Sequence, residues 1–108
     1  MFGTLYIVGT PIGNIEDITY RAVKILSEVD MILCEDTRHT KHLLDHYGIK
    51  NKTLSYNDYN EIRRTNQIIK YLKNRMNLAL VVDAGMPGIS DPGYRISNYV
   101  RNYEKDIA

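Results

Sequence analysis

The sequence predicts an α/β fold in which a parallel sheet is covered by helices on both faces. Four short apolar runs alternate with four amphipathic stretches, and each apolar run is continuous rather than alternating. Continuous runs are typical of strands buried on both sides, and strand–helix alternation implies right-handed crossovers between parallel strands. A chain of 108 residues with 44% hydrophobic residues is long enough for one such domain.

The predicted strands coincide with the four apolar runs. They are Leu5–Val8, Met31–Cys34, Thr53–Tyr56 and Leu78–Val82. A further strand is expected to begin within Lys105–Ala108, so we expect the chain to be one part of a larger architecture.

Apolar residues at helical spacing predict the first two helices. The first buries Ala22, Ile25, Leu26 and Val29 and is capped by Asp17 or Thr19. The second opens at Thr37 or Thr40 and shares one inward face among Thr40, Leu43, Leu44 and Tyr47. Gly48 follows where a left-handed residue would end that helix.

The same spacing predicts two more helices. The third is capped by Asn60 and turns inward Ile62, Thr65, Ile69, Leu72 and Met76. The fourth begins at Asp91 and Pro92 and buries Ile96, Tyr99, Val100 and Tyr103.

Composition excludes several classes of protein. The 14 basic and 13 acidic residues nearly balance, so total charge does not indicate a polyanionic partner. The single cysteine, Cys34, rules out an internal disulfide framework and favours the reducing cytoplasm. No leader sequence or membrane-length apolar run is visible, so we expect a soluble protein that does not contact a membrane.

Two glycine-bearing loops follow the first and last predicted strands, where ligands bind in open parallel sheets. The loop Gly9–Asn14 is neither a Walker A motif nor a dinucleotide fingerprint, and it could be only a tight turn. The stretch Asp83–Asp91 is more informative, because its glycines permit close backbone approach and Ser90 or Asp91 can cap a helix. It is longer than a bare strand-to-helix connection requires.

An acidic corner follows the second strand. Glu35 and Asp36 could orient a hydroxyl or accept its proton, and Arg38 could hold a phosphate. The structural alternative is that Asp36 and Thr37 cap the second helix while Arg38 is solvated.

Two other polar groups have simpler interpretations. His39, His42 and His46 match no zinc signature, so we predict a solvated helix face and no metal. Tyr56 and Tyr59 could stack on the bases of single-stranded nucleic acid, and the basic side chains of Arg63, Arg64 and Lys70 could neutralise its phosphates. The structural alternative is chance, because nine tyrosines scattered through the chain make such proximity common.

The segments "YIVGTPIGN", "EDTRHTKHLL" and "DAGMPGISDPGYR" closely resemble the RsmI family, the small-subunit ribosomal RNA 2′-O-ribose methyltransferases of the tetrapyrrole methylase superfamily. The resemblance covers nearly the whole chain. It departs from the family's usual pattern at Val82, where serine is common, and at Met86, where threonine is common. The second change removes a hydroxyl from the loop.

The resemblance implies that residues 1–108 are the N-terminal α/β domain of a class III methyltransferase whose C-terminal domain is absent from this chain. Such an enzyme binds S-adenosyl-L-methionine between its two domains and methylates a cytidine ribose in small-subunit ribosomal RNA. It implies a catalytic or RNA-facing role for Glu35, Asp36 and Arg38. The implied cofactor-binding residues are Gly9, Thr10, Pro11, Ile12, Gly13, Ala84, Gly85, Met86, Pro87, Gly88, Ile89, Ser90 and Asp91.

Three other hypotheses stay open at this point. A methylase of the same fold could act on a tetrapyrrole or a modified histidine, although "EDTRHT" and "GISDPG" argue against both. The chain could also be a non-catalytic ligand-binding or dimerisation module that retains the glycine loops. Formation of a homodimer also stays open under each of these hypotheses.

Overall fold

The computed structural model describes residues 3–10, 18–83 and 103–106, with only the backbone described at Asp83 and in the last segment. Three helices and five strands are present in these ranges. In chain order they are β1 (Leu5–Thr10), α1 (Tyr20–Glu28), β2 (Met31–Cys34), α2 (Thr37–His46), β3 (Thr53–Ser55), α3 (Glu61–Lys73), β4 (Leu78–Asp83) and β5 (Tyr103–Asp106).

The five strands form one sheet in the order β3-β2-β4-β1-β5, and every described pair is parallel. The chain runs outward from β1 to β2 and β3 and then returns, so that β4 lies between β2 and β1. This reversal puts α1 and α2 on one face and α3 on the other, as right-handed crossovers require.

Each face of the sheet has its own core. Val8, Ile32 and Ala79 point toward α1 and α2, whereas Leu5, Leu33, Leu78 and Leu80 point toward α3. Neighbouring residues of a strand therefore enter different cores, which explains why the apolar runs are continuous. The predicted α/β class, with helices on both faces of a parallel sheet, is confirmed.

The first two helices follow the sequence pattern closely. Thr19 caps α1, because its hydroxyl accepts a hydrogen bond of 3.1 Å from the Ala22 amide. The alternative cap, Asp17, lies outside the described residues. Gly48 ends α2 with φ +67°, as predicted for a left-handed terminator.

The predicted inward stripe of α3 is partly wrong. Ile62 is 81% exposed, whereas Ile68, which was not predicted to point inward, is fully buried beside Leu72. Asn60 occupies the predicted N-cap position, but its side chain makes no capping hydrogen bond. Both Ile62 and Ile68 fit a helical period with Leu72, and the position of the sheet decides between them.

Two expectations concern the end of the chain. The predicted strand is confirmed, although it begins at Tyr103 and pairs with β1 through Tyr103 and Leu5. Tyr103 was therefore wrongly placed on the fourth helix, because its helical spacing from Val100 is outweighed by pairing with β1. The rest of that helix lies outside the described residues.

Candidate functional site

The carboxyl ends of β2, β4 and β1 lie side by side on one edge of the sheet. Thr10 is the register partner of Asp83, and Cys34 is the partner of Val81. The two glycine-bearing loops therefore leave the sheet from neighbouring strands, and the acidic corner leaves from the strand next to them. Prediction placed these three segments on a common edge. The strand ends that precede them do lie on one edge, whereas the glycine-bearing segments beyond Thr10 and Asp83 lie outside the described residues.

A side-chain hydrogen bond ties the two loop-bearing strands together at this edge. The Thr10 hydroxyl donates to the Val82 carbonyl oxygen across 3.2 Å, and Thr10 is almost fully buried. Gly9, the residue before it, is also buried and pairs with Val82. The connections of β1 and β4 run in opposite directions along the sheet, which is the arrangement that opens a crevice in such folds.

Asp36 is the N-cap of α2. Its Oδ1 accepts hydrogen bonds from the backbone amides of Arg38, at 2.9 Å, and His39, at 3.4 Å. A carboxylate at this position satisfies amides that have no partner within the helix and complements the positive end of the helix dipole. The alternative interpretation of Asp36, that it caps the second helix, is therefore confirmed.

Glu35 and Arg38 have different surroundings from Asp36. Both side chains are exposed. Within the described part of the chain, the Glu35 carboxylate makes no hydrogen bond or ion pair, so neither of its oxygens is engaged by a described neighbour. Glu35 is therefore the carboxylate of this corner that is more available to a ligand.

A buried thiol lies directly behind the acidic corner. Cys34 ends β2 with 1% of its surface exposed. Burial raises the pKa of the Cys34 thiol, the hydrogen bond with the Thr40 side chain opposes that rise, and the nearby negative charge of Asp36 adds to it. Cys34 is therefore a packed, protonated residue that supports the corner, not a nucleophile.

The chain matches the family model for tetrapyrrole (corrin/porphyrin) methylases over residues 4–108. It belongs to that family. Among curated relatives it is similar to the ribosomal RNA small subunit methyltransferase I of Thermotoga maritima, with 57% identity over 87% of this chain. The protein of the same name from Haemophilus influenzae is 48% identical over 92% of this chain, and that from Mycoplasmopsis pulmonis is 46% identical over 95%.

These relatives are longer than the chain described here. The matches span 42%, 35% and 46% of their respective lengths. The fold is also similar to the crystal structure of CobF, a cobalamin synthesis related protein of Corynebacterium diphtheriae, with a TM-score of 0.73, 17% identity, and coverage of 97% of this chain and 52% of that one. At that identity the likeness concerns the fold alone.

The structure locates only part of the site predicted for this methylase. Gly9 and Thr10 are described at the end of β1, and Glu35, Asp36 and Arg38 at the end of β2. The remaining predicted cofactor-binding residues lie outside the described ranges. They are Pro11, Ile12, Gly13, Ala84, Gly85, Met86, Pro87, Gly88, Ile89, Ser90 and Asp91.

The turn after β3 contains two tyrosines with opposite surroundings. Tyr56 is fully buried, and its hydroxyl shares a 2.8 Å hydrogen bond with Thr65, so it is a core residue and cannot stack on a base. Tyr59 is 99% exposed. The sequence analysis grouped the two residues because they are close in the chain. Their different roles become evident only from the packing of α3, which buries Tyr56 and leaves Tyr59 exposed.

The three histidines of α2 were predicted to form a solvated face. His39, His42 and His46 are exposed on α2, as predicted for a solvated face. Within the described ranges, no group of three or more His, Cys, Asp or Glu residues could hold a metal ion. None of the helices described here is long and apolar enough to span a membrane.

Proposed function

We propose that this domain forms half of the active site of an S-adenosyl-L-methionine-dependent methyltransferase that modifies the 2′-hydroxyl of a cytidine in small-subunit ribosomal RNA. Residues 1–108 would be its N-terminal domain, with the cofactor held between this domain and a C-terminal domain elsewhere in a longer protein. The enzyme would work in the cytoplasm. The support is family membership, together with relatives named for ribosomal RNA methylation.

One structural observation carries the proposal. The register that pairs Thr10 with Asp83 puts the ends of β1 and β4 next to each other, with the acidic corner at the end of the next strand. The two glycine-bearing segments follow these strand ends in the sequence. Methyl transfer to oxygen is an in-line displacement, so its main requirement is that donor and acceptor are held close and aligned. A single edge carrying both the proposed donor loops and the proposed acceptor residues meets that requirement.

The described residues fit this cofactor. Gly9 presents backbone instead of a side chain at the end of β1, and Glu35 and Asp36 add exposed carboxylates two strands away, which suits a ligand carrying positive charge. Gly9 and Thr10 would line the cofactor, together with Pro11–Gly13 and Ala84–Asp91. When bound, the cofactor supplies an electrophilic methyl group.

The acidic corner would handle the ribose hydroxyl. Glu35, which no described residue engages, would accept a hydrogen bond from the 2′-hydroxyl and take its proton as the new carbon–oxygen bond forms. Asp36 would hold the amino end of α2 in place, because its Oδ1 is already bonded to two amides. Arg38, exposed on the first turn of α2, would bind the adjoining phosphate.

The direct test uses the full-length protein. Cofactor affinity is measured by calorimetry, and methyl transfer is measured on small ribosomal subunits purified from cells that lack the mark. A 2′-O-methyl group blocks alkaline cleavage at its own nucleotide, so a single protected cytidine is the expected product. Transfer to a base, or no transfer despite tight cofactor binding, would refute ribose methylation.

A second measurement tests whether the cofactor cleft is shared between two domains. If the cleft is shared between domains, the 108-residue chain alone should bind S-adenosyl-L-methionine weakly or not at all and should show no turnover. Tight stoichiometric binding by this chain would contradict the shared cleft. Sedimentation of the full-length protein would test for a homodimer.

A further inference from the structure

The outward side of α3 and the turn before it form a continuous exposed surface, which we call the α3 stripe. It consists of Tyr59, Ile62, Arg63, Asn66, Lys70 and Lys73, all of which are exposed. The opposite side of α3 packs on the sheet through Ile68 and Leu72. A helix rises 1.5 Å per residue, so the stripe is about 20 Å long.

The stripe combines exposed apolar surface with positive charge. At its first end, Tyr59 is 99% exposed and Ile62 is 81% exposed, and the two line an open concavity together with Arg63 and Asn66. Lys70 and Lys73 extend the positive charge toward the other end. Large exposed apolar side chains grouped with basic ones are typical of a binding surface.

Few acidic residues lie near the basic side chains of the α3 stripe. Glu61 is the only acidic residue between positions 59 and 75, and it is 7% exposed. Asp58, at the turn, is the exception beside the stripe. Outside positions 59–75 the chain has 9 basic and 12 acidic residues, so this segment concentrates positive charge that the total of 14 basic and 13 acidic residues conceals.

The turn that carries Tyr59 is held by several hydrogen bonds. The Asn57 Oδ1 accepts from the Tyr59 amide at 3.0 Å, and the Asn60 Oδ1 accepts from the Asn57 amide at 2.9 Å. Asn60 Nδ2 also donates to Ser55 Oγ, so the Asn60 side chain fastens the turn instead of capping α3. The exposed ring of Tyr59 is therefore mounted on a preorganised backbone, which lowers the entropy cost of stacking.

The stripe begins at the same edge of the sheet as the acidic corner. Tyr59 follows the carboxyl end of β3, and β3 pairs with β2, whose carboxyl end leads to Glu35 and Asp36. We propose that the α3 stripe binds a single-stranded segment of the RNA substrate next to the target nucleotide, with Tyr59 stacking on an unpaired base. This inference rests on the proposed function and adds the surface that holds the RNA.

The chemistry of the surface favours RNA over other occupants. Unpaired bases stack on aromatic side chains without regard to sequence. Arg63, Lys70 and Lys73 are exposed cations that can neutralise a phosphate backbone, whereas protein interfaces are depleted in lysine. Lys70 and Lys73 also complement the carboxyl end of the helix dipole. The interaction with the helix dipole does not account for the exposed ring of Tyr59 at the other end of the stripe.

The first experiment measures the affinity of the full-length protein for a single-stranded RNA matching its methylation site. Tyr59→Ala should weaken binding about tenfold, and Tyr59→Phe should bind like the wild type because stacking needs only the ring. Tyr20→Ala is the matched control, since Tyr20 is 96% exposed on α1, on the opposite face. Equal affinities for Tyr59→Ala and Tyr20→Ala would overturn the inference.

The second experiment measures the salt dependence of the same binding. The slope of log affinity against log salt is negative, and Lys70→Gln and Lys73→Gln should each reduce its magnitude by roughly 0.7, the value per phosphate contact on a single strand. Lys24→Gln, an exposed lysine on α1, should leave the slope unchanged. An unchanged slope in the α3 variants would contradict phosphate contacts along the stripe.

The remaining outcomes distinguish this inference from the proposed function. If Tyr59→Ala methylates RNA with an unchanged KM, the α3 stripe does not bind the RNA substrate, while the proposed methyltransferase function stands. Failure of the wild type to methylate or bind RNA would refute both. A lower Tm in Tyr59→Ala, or loss of a dimer with RNA affinity retained, would show that the stripe packs within the protein or against a second copy, and either result would overturn the inference.

Discussion

The hydroxyl of Thr10 donates a hydrogen bond to the carbonyl oxygen of Val82, joining β1 and β4 at the point where the two glycine-bearing loops leave the sheet. Thr10 was predicted to bind the cofactor. The bond shows that its hydroxyl already has a structural partner, so its contribution to a ligand would come mainly from its backbone.

Replacing Thr10 tests this structural role. Thr10→Val keeps the shape but loses the 3.2 Å bond to Val82, so the free energy of unfolding should fall by about 1 kcal/mol. Thr10→Ser keeps the hydroxyl and should lose less. Urea denaturation of the three proteins gives the comparison, and a Thr10→Val protein as stable as the wild type would show that the bond contributes nothing.

The two carboxylates of the acidic corner can be separated by substitution. Asp36→Ala removes the N-cap of α2 and should destabilise the protein by about 1 kcal/mol, whereas Asp36→Ser restores a capping oxygen and most of the stability. If Asp36 only positions the helix, Asp36→Ser should also restore kcat in the full-length enzyme. Restored stability with kcat still low would place Asp36 in the chemistry.

Glu35→Gln is the companion variant. The Glu35 carboxylate makes no hydrogen bond or ion pair with a described residue, so the substitution should leave the Tm unchanged. The kcat should fall by about 100-fold, as expected for loss of a group that takes a proton. Methylation is measured over a range of pH with each variant. An unchanged kcat would remove Glu35 from the reaction.

The sequence predicted which segments form strands because short, continuous apolar runs bounded by polar residues are typical of strands buried on both faces. The runs ending at Val8 and Val82 extend to Thr10 and Asp83, where polar residues pair as strands because a neighbouring strand is available. Such pairing is a property of the sheet and cannot be inferred from one segment. The position of β4 between β2 and β1 has the same origin.

The sheet edge that carries the acidic corner was predictable from the sequence, but the roles of its residues were not. Parallel strands put their carboxyl ends on one edge, so the grouping of the acidic corner with the loops followed from fold class alone. The oxygens of Asp36 suit a helix cap and a reacting hydroxyl equally well, so sequence could not choose between them. Ile62 was misplaced for a similar reason, since periodicity fixes the spacing of a stripe and not its direction.

Cys34 should make stability depend on pH in the alkaline range. Burial raises the pKa of this thiol in the folded protein, so the folded state retains its proton where the unfolded chain loses it. The resulting stabilisation is fully present below the unfolded pKa of about 8.5 and is lost as pH rises through the higher folded value. Urea unfolding between about pH 7 and about pH 10 measures this effect.

Cys34→Ala supplies the control for that titration. Its absolute stability should be lower than that of the wild type because a buried side chain is truncated, but it should lose less stability over the same alkaline range. Iodoacetamide should react with the wild-type thiol only as fast as the protein opens. Rapid alkylation of the folded protein would show that the thiol is accessible and ionised.

Two helices end in the same backbone motif with different residues at its left-handed position. After α2, the Gly48 and Ile49 amides donate to the Asp45 and Leu44 carbonyls, and Gly48 has φ +67°. After α3, the Arg75 and Met76 amides donate to the Leu72 and Tyr71 carbonyls, and Arg75 has φ +66°. Both ends are therefore Schellman motifs, but only one has the residue that tolerates this conformation without strain.

Opposite substitutions at these two positions should have opposite effects. Gly48→Ala places a side chain in the left-handed region, where no steric contact adds to the strain, and should destabilise the protein by about 1 kcal/mol. Arg75→Gly relieves the strain but gives the unfolded chain more freedom, so we expect a smaller gain of roughly 0.5 kcal/mol, or a few degrees in Tm. Thermal unfolding of both variants decides the matter, and a stabilising Gly48→Ala would show that this end of α2 can relax away from the left-handed conformation.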